Sequence, residues 1–222
     1  MKKLLALVLA AVCLMSFASC SLFDMFKPDE ERIIGKWKAE VDMTEAMSEM
    51  TDMMLGSMML GDDADKYFEF DSLKFDMIIE FKEDGKMTSK LDKKSVEKAV
   101  DGLIEDMKTG LKAYYEDPAN EGLLGDTDVS IDETLDAIFT EEYASAMVDS
   151  MTAEDHNGKY KLEGGKLYMA EEDEEFEDDD YIEYEFGVDT LVFKKAVGED
   201  IEDAEEEGFL PEKIFPITFK KQ

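Results

Sequence analysis

The sequence is poor in the residues that most often carry catalysis, metal binding or cross-linking. Its 222 residues include one histidine, two cysteines, four prolines and one tryptophan. With His156 alone, neither a site of several histidines nor a histidine-based catalytic set can form. The sequence also has no Gly-rich phosphate loop and no cluster with metal-ligand spacing. We therefore expect a protein that is not an enzyme and that carries no cofactor and no metal.

Positive charge is also scarce. The chain has 24 Lys+Arg against 57 Asp+Glu, which gives a formal net charge of −33. Nucleic acids and anionic lipid headgroups need neutralising cations, so this balance excludes both as partners. Hydrophobic residues nevertheless make up 44% of the chain and aromatic residues 10%, which is enough for a folded core. The length indicates one domain, with or without a large insertion.

No apolar run is long enough to cross a bilayer, which needs about 20 residues. The longest run, Leu4 to Met15, follows two lysines and leads into Phe17-Ala18-Ser19-Cys20. A basic start, a short apolar stretch and small residues are typical of a secretory signal peptide. The cysteine after the small residues resembles the lipobox of bacterial lipoproteins. That resemblance implies cleavage before Cys20 and attachment of a diacylglycerol to its sulfur.

The resemblance divides the chain into a signal peptide (1–19), a lipidated tether (20–32) and a folded domain (33–222). Because Cys13 leaves with the signal peptide, no disulfide is expected although export permits one. The membrane is then a partner through the anchor on Cys20. We expect the protein in the cell envelope, facing outward from the cytoplasmic membrane or attached to the outer membrane.

Period-two alternation of apolar and polar residues recurs along the folded domain and predicts β-strands. Eight segments carry it: 35–43, 73–82, 86–91, 159–163, 166–170, 181–186, 190–195 and 214–220. Two helical segments, 44–60 and 93–156, interrupt the series. Within the second, Ser130 followed by Glu133 predicts a capping box at the start of one helix, and Thr140 predicts the start of the next. The expected fold is mainly β with α insertions, an eight-stranded antiparallel up-and-down barrel with the helical insertions at one mouth.

The first predicted strand opens with Gly35-Lys36-Trp37. Together with the strand series, this opening resembles the Gly-x-Trp start of lipocalin-like (calycin) proteins. The resemblance implies a barrel that can take a small ligand. It also implies that Trp37 is a packing residue at the closed end rather than a catalyst.

Consecutive connections of a meander alternate between the two ends of the barrel. The short turns 83–85, 164–165 and 187–189 share one end, and the long connections share the other. Long connections on a rigid scaffold usually carry function. Two of them, 171–180 and 196–213, are strongly acidic. They are either solvated loops or attract a cation, a basic peptide or Ca²⁺.

Residues 44–60 are rich in methionine at helical spacing. The spacing Met47-x-x-Met50-x-x-Met53 resembles Cu(I)-binding methionine motifs, but methionine also fills gaps and forms adaptable apolar surfaces. A packing or lid role is the preferred interpretation, and a flexible surface for a ligand is another. The candidate ligand-binding residues are Met47, Met50, Met54, Phe75 and Tyr184.

Two functions follow from these observations. The first is a lipid-anchored, lipocalin-like binding protein that takes a small apolar or cationic amphiphilic ligand at its acidic mouth. The second is a structural or interaction lipoprotein with a filled barrel, which binds an envelope protein through its helical insert. The first is the preferred hypothesis. An eight-stranded barrel is just wide enough for its own side chains, so large inward residues could fill it and leave the outer loops and the insert as the functional surface. The large residues predicted to point inward are Trp37, Phe75, Phe81, Tyr160, Tyr184, Phe186, Phe193, Phe215 and Phe219.

Overall fold

The centre of the molecule is a closed ring of eight antiparallel strands in sequence order. The computed structural model describes residues 26–46, 48, 65–70, 72–120, 130–153, 155–198, 201 and 214–222. The strands are β1 (Gly35–Asp42), β2 (Lys74–Phe81), β3 (Lys86–Leu91), β4 (His156–Glu163), β5 (Lys166–Glu171), β6 (Tyr181–Phe186), β7 (Thr190–Val197) and β8 (Ile217–Lys221). The predicted eight-stranded antiparallel barrel is confirmed.

Alternation along the strands fills the interior of the barrel. Every second residue of β1 from Trp37 to Val41 is buried, and the residues between them are half-buried or exposed. The central cluster of buried side chains comprises Ile33, Trp37, Ala39, Ile79, Phe81, Met87, Leu167, Leu191, Phe193 and Phe219. Partly buried methionine, isoleucine and aromatic side chains pack against this cluster. The interior is therefore occupied by the chain's own side chains, as a narrow eight-stranded barrel allows.

Two strand starts differ from the sequence prediction by three residues, and the other strand boundaries agree with it to within two residues. β4 begins at His156, the last residue of the predicted helical insert, because Ser89 of β3 pairs with it. The polar stretch from His156 to Gly158 has no apolar alternation, so its pairing could not be read from the sequence. β8 begins at Ile217 rather than at residue 214, and Pro216, which has no N–H to donate to a ladder, precedes the strand.

The α-helices with described bounds are α1 (Asp29–Arg32), α2 (Lys93–Glu116), α3 (Ile131–Ile138) and α4 (Glu141–Thr152). Residues 44–46 and 48 are also helical, and two short 3₁₀ helices lie at Asp65–Tyr67 and Pro118–Asn120. Two of the expected helix starts are confirmed. Ser130 and Glu133 form a capping box at α3, and the Thr140 hydroxyl accepts a hydrogen bond from the Tyr143 N–H at α4. None of the described helices is long and apolar enough to cross a membrane.

The segment before β1 packs against one end of the barrel. Ile33 is fully buried, and its carbonyl accepts a hydrogen bond of 2.6 Å from the indole N–H of Trp37. The guanidinium of Arg32 donates to the carbonyl of Gly187 at 2.6 Å and lies 4.6 Å from the ring centre of Phe186. The last residues of the predicted tether thus form α1 and contact the barrel.

Ile33 tests the contribution of this segment to stability. Ile33→Ala removes a fully buried side chain, so we expect it to lower the free energy of unfolding by about 2–5 kcal/mol. Phe26→Ala is the matched control, because Phe26 is 86% exposed and its loss should change stability by less than about 0.5 kcal/mol. Urea unfolding measures both, and equal effects would mean that the segment does not contribute to the core.

Candidate functional site

Two of the predicted ligand-binding residues, Phe75 and Tyr184, lie in the described part of the chain, and Phe75 lines a large cavity. The cavity, here called the helix groove, lies between β2 and α2 and has a volume of about 630 Å³. This volume is typical of small-molecule sites. Its lining residues are Glu40, Ser72, Lys74, Phe75, Asp76, Ser95, Lys98, Ala99, Gly102, Glu105, Asp106 and Thr109.

Hydrogen bonds fix the first turn of α2 to β2 and so set one wall of the helix groove. The Asp92 carboxylate accepts from the Ser95 N–H and caps the helix. The Ser95 hydroxyl in turn accepts from the backbone N–H of Asp76 at 2.8 Å. The backbone N–H of Asp92 also donates to the carbonyl of Asp76 at 2.8 Å. Because two of these hydrogen bonds join the start of α2 to Asp76 of β2, α2 begins at a defined position beside the strand.

The apolar part of the groove belongs to a second core cluster. Phe75 is 9% exposed and packs in a cluster with Val96 and Val100 of α2 and Val148 of α4. This burial agrees with the inward position that the alternation of apolar and polar residues in β2 predicts. Its ring therefore serves both the core beneath α2 and the wall of the groove.

The polar part of the groove carries more negative than positive charge. Four carboxylates line it, from Glu40, Asp76, Glu105 and Asp106, against the ammonium groups of Lys74 and Lys98. The Asp76 carboxylate also forms an ion pair of 2.7 Å with Lys38. This hydrogen bond raises the pKa of Lys38, although desolvation acts in the opposite direction. An excess of carboxylates favours a cationic ligand over an anionic one.

Gly102 lies in the middle of α2 and faces open space in the groove. A Cβ atom built at Gly102 meets no atom within 4 Å. Glycine in a helix interior costs about 1 kcal/mol relative to alanine, so a glycine without a steric reason is notable. At Gly110 of the same helix, by contrast, a Cβ would lie 2.5 Å from the Phe68 ring.

Tyr184 lies away from the helix groove. Its hydroxyl donates a hydrogen bond of 2.9 Å to the Asp29 carboxylate in α1, and its ring packs against Phe186. Burial, followed by the hydrogen bond to Asp29, raises the pKa of Tyr184. Phe75 and Tyr184 belong to different core clusters, so the structure does not bring these two candidates together.

The other candidates fall into two groups. Cys20, Met47, Met50 and Met54 lie outside the described residues, so their roles stay predictions. Gly35 and Trp37 lie at the start of β1. Gly35 has φ +122°, which other residues rarely adopt, and Trp37 is buried beside Phe186 with the Lys221 ammonium 5.2 Å from its ring centre.

The acidic connection between β5 and β6 is anchored to the outside of the barrel. Phe176, the one residue without a carboxylate between Glu171 and Asp180, is half-buried. The ammonium groups of Lys159 and Lys161 lie 5.3 and 5.2 Å from its ring centre. Lys86 also pairs with Glu172 at 2.9 Å. The sequence pattern missed this anchor because it reported charge and not contacts.

Within the described ranges, no group of three or more His, Cys, Asp or Glu side chains is arranged to hold a metal ion. Comparison of the chain with models of protein families, with curated proteins and with solved structures finds no match in any of the three.

The two glycines of α2 allow the same substitution to be tested in opposite environments. Gly102→Ala should raise the free energy of unfolding by about 0.5–1 kcal/mol, because it adds helix propensity and meets no atom. Gly110→Ala should lower it by about 1–3 kcal/mol, because the new methyl group meets the Phe68 ring and the Tyr67 carbonyl. Thermal or urea unfolding measures both, and a change of the same sign would contradict the open groove at Gly102.

Proposed function

We propose that this protein is a lipid-anchored, extracytoplasmic binding protein with a lipocalin-like barrel, and that it is not an enzyme. Its ligand is a small cationic amphiphile, and the binding site is the helix groove. One observation carries the proposal: a cavity of about 630 Å³ combines the Phe75 ring and the open face of Gly102 with four carboxylates. Cationic and apolar groups of one ligand would each find a complement there.

The filled interior of the barrel is the reason for placing the ligand outside it. Leu167, Leu191 and Phe219 are fully buried, and large aromatic side chains pack around them. A ligand in the interior would have to displace these side chains, at a cost of several kcal/mol. The helix groove needs no such displacement.

The position of the helices supports a functional mouth at one end. Val41 lies near the end of β1 and Phe75 near the start of β2, and both cluster with α2 and α4 side chains. Helical insertions over this end of the barrel agree with the proposed lipocalin-like architecture, in which one end is open to ligands and the other is closed. The segment containing α1 packs against the other end, which would correspond to the closed end.

The proposed lipid anchor on Cys20 predicts how the barrel is oriented relative to the membrane. If Cys20 carries the lipid, the residues between it and Pro28 span at most roughly 28 Å when extended. The end of the barrel that α1 contacts would then lie near the membrane surface. The helix groove would face away from the membrane, where a ligand or an envelope protein can reach it.

A second candidate function is supported by apolar side chains on the helical insert. Ile138 at the end of α3 is 54% exposed, and Tyr143 and Met151 of α4 are 44% and 38% exposed. Exposed apolar groups gathered on one segment are typical of protein interaction sites. On this basis the insert 93–156 binds an envelope protein, and the barrel serves as its scaffold.

The lipid anchor predicts a change in fractionation. In the bacterial host, Cys20→Ser should abolish incorporation of a labelled fatty acid and move the protein from the membrane fraction to the soluble fraction. Cys13→Ser is the matched control, because Cys13 lies in the segment that the proposal removes, and its replacement should leave labelling unchanged. Labelling that persists in Cys20→Ser would contradict the proposed lipobox.

Two amphiphilic probes of opposite charge, together with a substitution that fills the helix groove, test the ligand site. We expect octyltrimethylammonium to bind the Cys20→Ser protein in calorimetry and octyl sulfate not to bind, because of the carboxylates in the groove. Gly102→Leu should abolish binding by occupying the open space, with the fold retained. Ala113→Leu, at an exposed position of the same helix, should bind like the parent protein.

Two other outcomes would decide against the helix groove. Equal affinity for the cationic and the anionic probe would contradict electrostatic selection. Absence of binding to either probe, with a native mass spectrum free of small molecules after purification from the host envelope, would favour the second candidate function.

A further inference from the structure

The strands β5 and β6 overlap over a shorter length than any other neighbouring strands of the barrel. Their described pairs are Lys166 with Glu183 and Leu167 with Ile182. Because β5 begins at Lys166 and β6 begins at Tyr181, this register lets at most three residues of each strand face each other. In the other neighbouring pairs, the registers and strand bounds give four or more. We call this junction the β5–β6 seam.

The junction between the first and last strands is reinforced in ways that the β5–β6 seam is not. Two pairs are described between β1 and β8 as well, but the Gln222 N–H extends this ladder by donating to the Lys36 carbonyl at 2.9 Å. Lys221 also donates to the Arg32 carbonyl, and Phe219 of β8 is fully buried. In β6, every residue is half-buried or exposed. The β5–β6 seam is therefore the weaker of the two junctions.

The two ends of the β5–β6 seam differ in how they are held. At the start of β6, the Lys166 ammonium lies 3.5 Å from the ring centre of Tyr181, and the ring centres of Tyr168 and Tyr181 are 5.9 Å apart. These contacts hold the start of β6 against β5 on the outer face. The second half of β6, from Tyr184 to Phe186, runs past the beginning of β5 and has no strand beside it on that side.

A small cavity lies beside this second half of β6. It has a volume of about 250 Å³. The end of the β4–β5 hairpin forms one wall, and Tyr184 and α1 form the others. The lining residues are Asp29, Glu30, Leu162, Glu163, Gly164, Gly165 and Tyr184. Space therefore separates the hairpin from β6 at the end of the barrel that α1 contacts.

The helix α1 holds the second half of β6 where a strand is missing. The Tyr184 hydroxyl donates to the Asp29 carboxylate at 2.9 Å. The Arg32 guanidinium donates to the Gly187 carbonyl at 2.6 Å and lies 4.6 Å from the ring centre of Phe186. Both ends of this one-turn helix thus contact the same strand and the turn that follows it.

We propose that α1 is a latch on the β5–β6 seam, and that release of its contacts with β6 lets the ring open there. The β4–β5 hairpin, which is joined by six residue pairs, then moves away from β6 as a unit. β6 remains paired with β7, and the contacts around Tyr181 form the hinge. Such a local opening needs less free energy than unfolding of the whole barrel.

The open seam would expose apolar side chains at the end of the barrel that α1 contacts. Leu167 is fully buried in the closed ring, and Leu162 and Ile182 pack against the same core cluster. The opening is thus a conformational change of the barrel itself. It depends neither on the ligand of the helix groove nor on the lipid anchor, so failure of either leaves this inference standing.

Hydrogen exchange on the full chain carrying Cys20→Ser tests the latch. Arg32→Ala removes the hydrogen bond to Gly187 and the contact with Phe186, so exchange in segments 166–171 and 181–186 should become about tenfold faster. Exchange in segment 74–81 of β2 should not change. Glu31→Ala, at an exposed position of the same helix, is the matched control and should leave all three segments unchanged. Equally faster exchange in all three segments of Arg32→Ala would overturn the latch, because it would show general destabilisation.

A milder pair of variants separates the latch from the hinge. Tyr184→Phe keeps the ring and removes the hydrogen bond to Asp29, so exchange in the same two segments should become about fivefold faster. Tyr181→Phe is the same change on the same strand, but the described contacts of Tyr181 are made by its ring. It should therefore have no effect, and equal effects of the two variants would contradict the assignment of the latch to α1.

A disulfide across the seam provides the converse test. Lys166 and Glu183 lie opposite each other, at a distance that antiparallel strands make suitable for a disulfide. In the chain carrying Cys13→Ser and Cys20→Ser, oxidation of Lys166→Cys with Glu183→Cys should abolish the effect of Arg32→Ala on exchange, and reduction should restore it. An effect of Arg32→Ala that persists in the oxidised protein, or no effect of Arg32→Ala in the first experiment, would overturn the proposal.

Discussion

Closure of the ring between β1 and β8 is the constraint on which the rest of the structure depends. The two pairs of that ladder join residues from opposite ends of the folded chain. Without them, the sheet would have two open edges and the interior would be exposed to water. The long sequence separation makes this contact costly in chain entropy, so the energy must come from side chains that become buried when the ring closes. The cluster around Trp37, Phe193 and Phe219 supplies that burial.

A filled interior directs function to the outside of the barrel. The strands pair with their neighbours around the ring, and their inward side chains form the core. The surfaces that remain for ligand recognition therefore lie between secondary-structure elements. The helix groove exists because α2 starts from β2 at a fixed position. There the acidic surface of the molecule meets a small apolar area. That combination suits ligands that are themselves partly cationic and partly apolar.

Much of the barrel could be predicted because period-two alternation reports burial directly. The pattern alone predicted inward positions for residues such as Trp37 and Phe193, and the starts of α3 and α4 followed from their capping residues. The start of β4 could not be predicted, because its first residues pair with β3 without apolar side chains.

The sites were less predictable than the fold. Phe75 was identified as a candidate from its apolar, inward position, but the groove beside it depends on a hydrogen bond between Ser95 and Asp76 that links distant segments. Gly102 offered a signal in the sequence, since a glycine within a long helical stripe needs a reason. Contacts of this kind are properties of the assembled sheet rather than of any one segment.

The number of strands also determines where the chain enters and leaves the barrel. An even number of antiparallel strands returns the chain to the end from which it started, and here Lys221 of β8 donates a hydrogen bond to the Arg32 carbonyl beside the start of β1. Any segment joined before β1 or after β8 therefore emerges at the same pole of the molecule. The opposite pole is reached only by connections between strands. Those connections can vary in length and composition without altering how the barrel is joined to the segments before β1 and after β8.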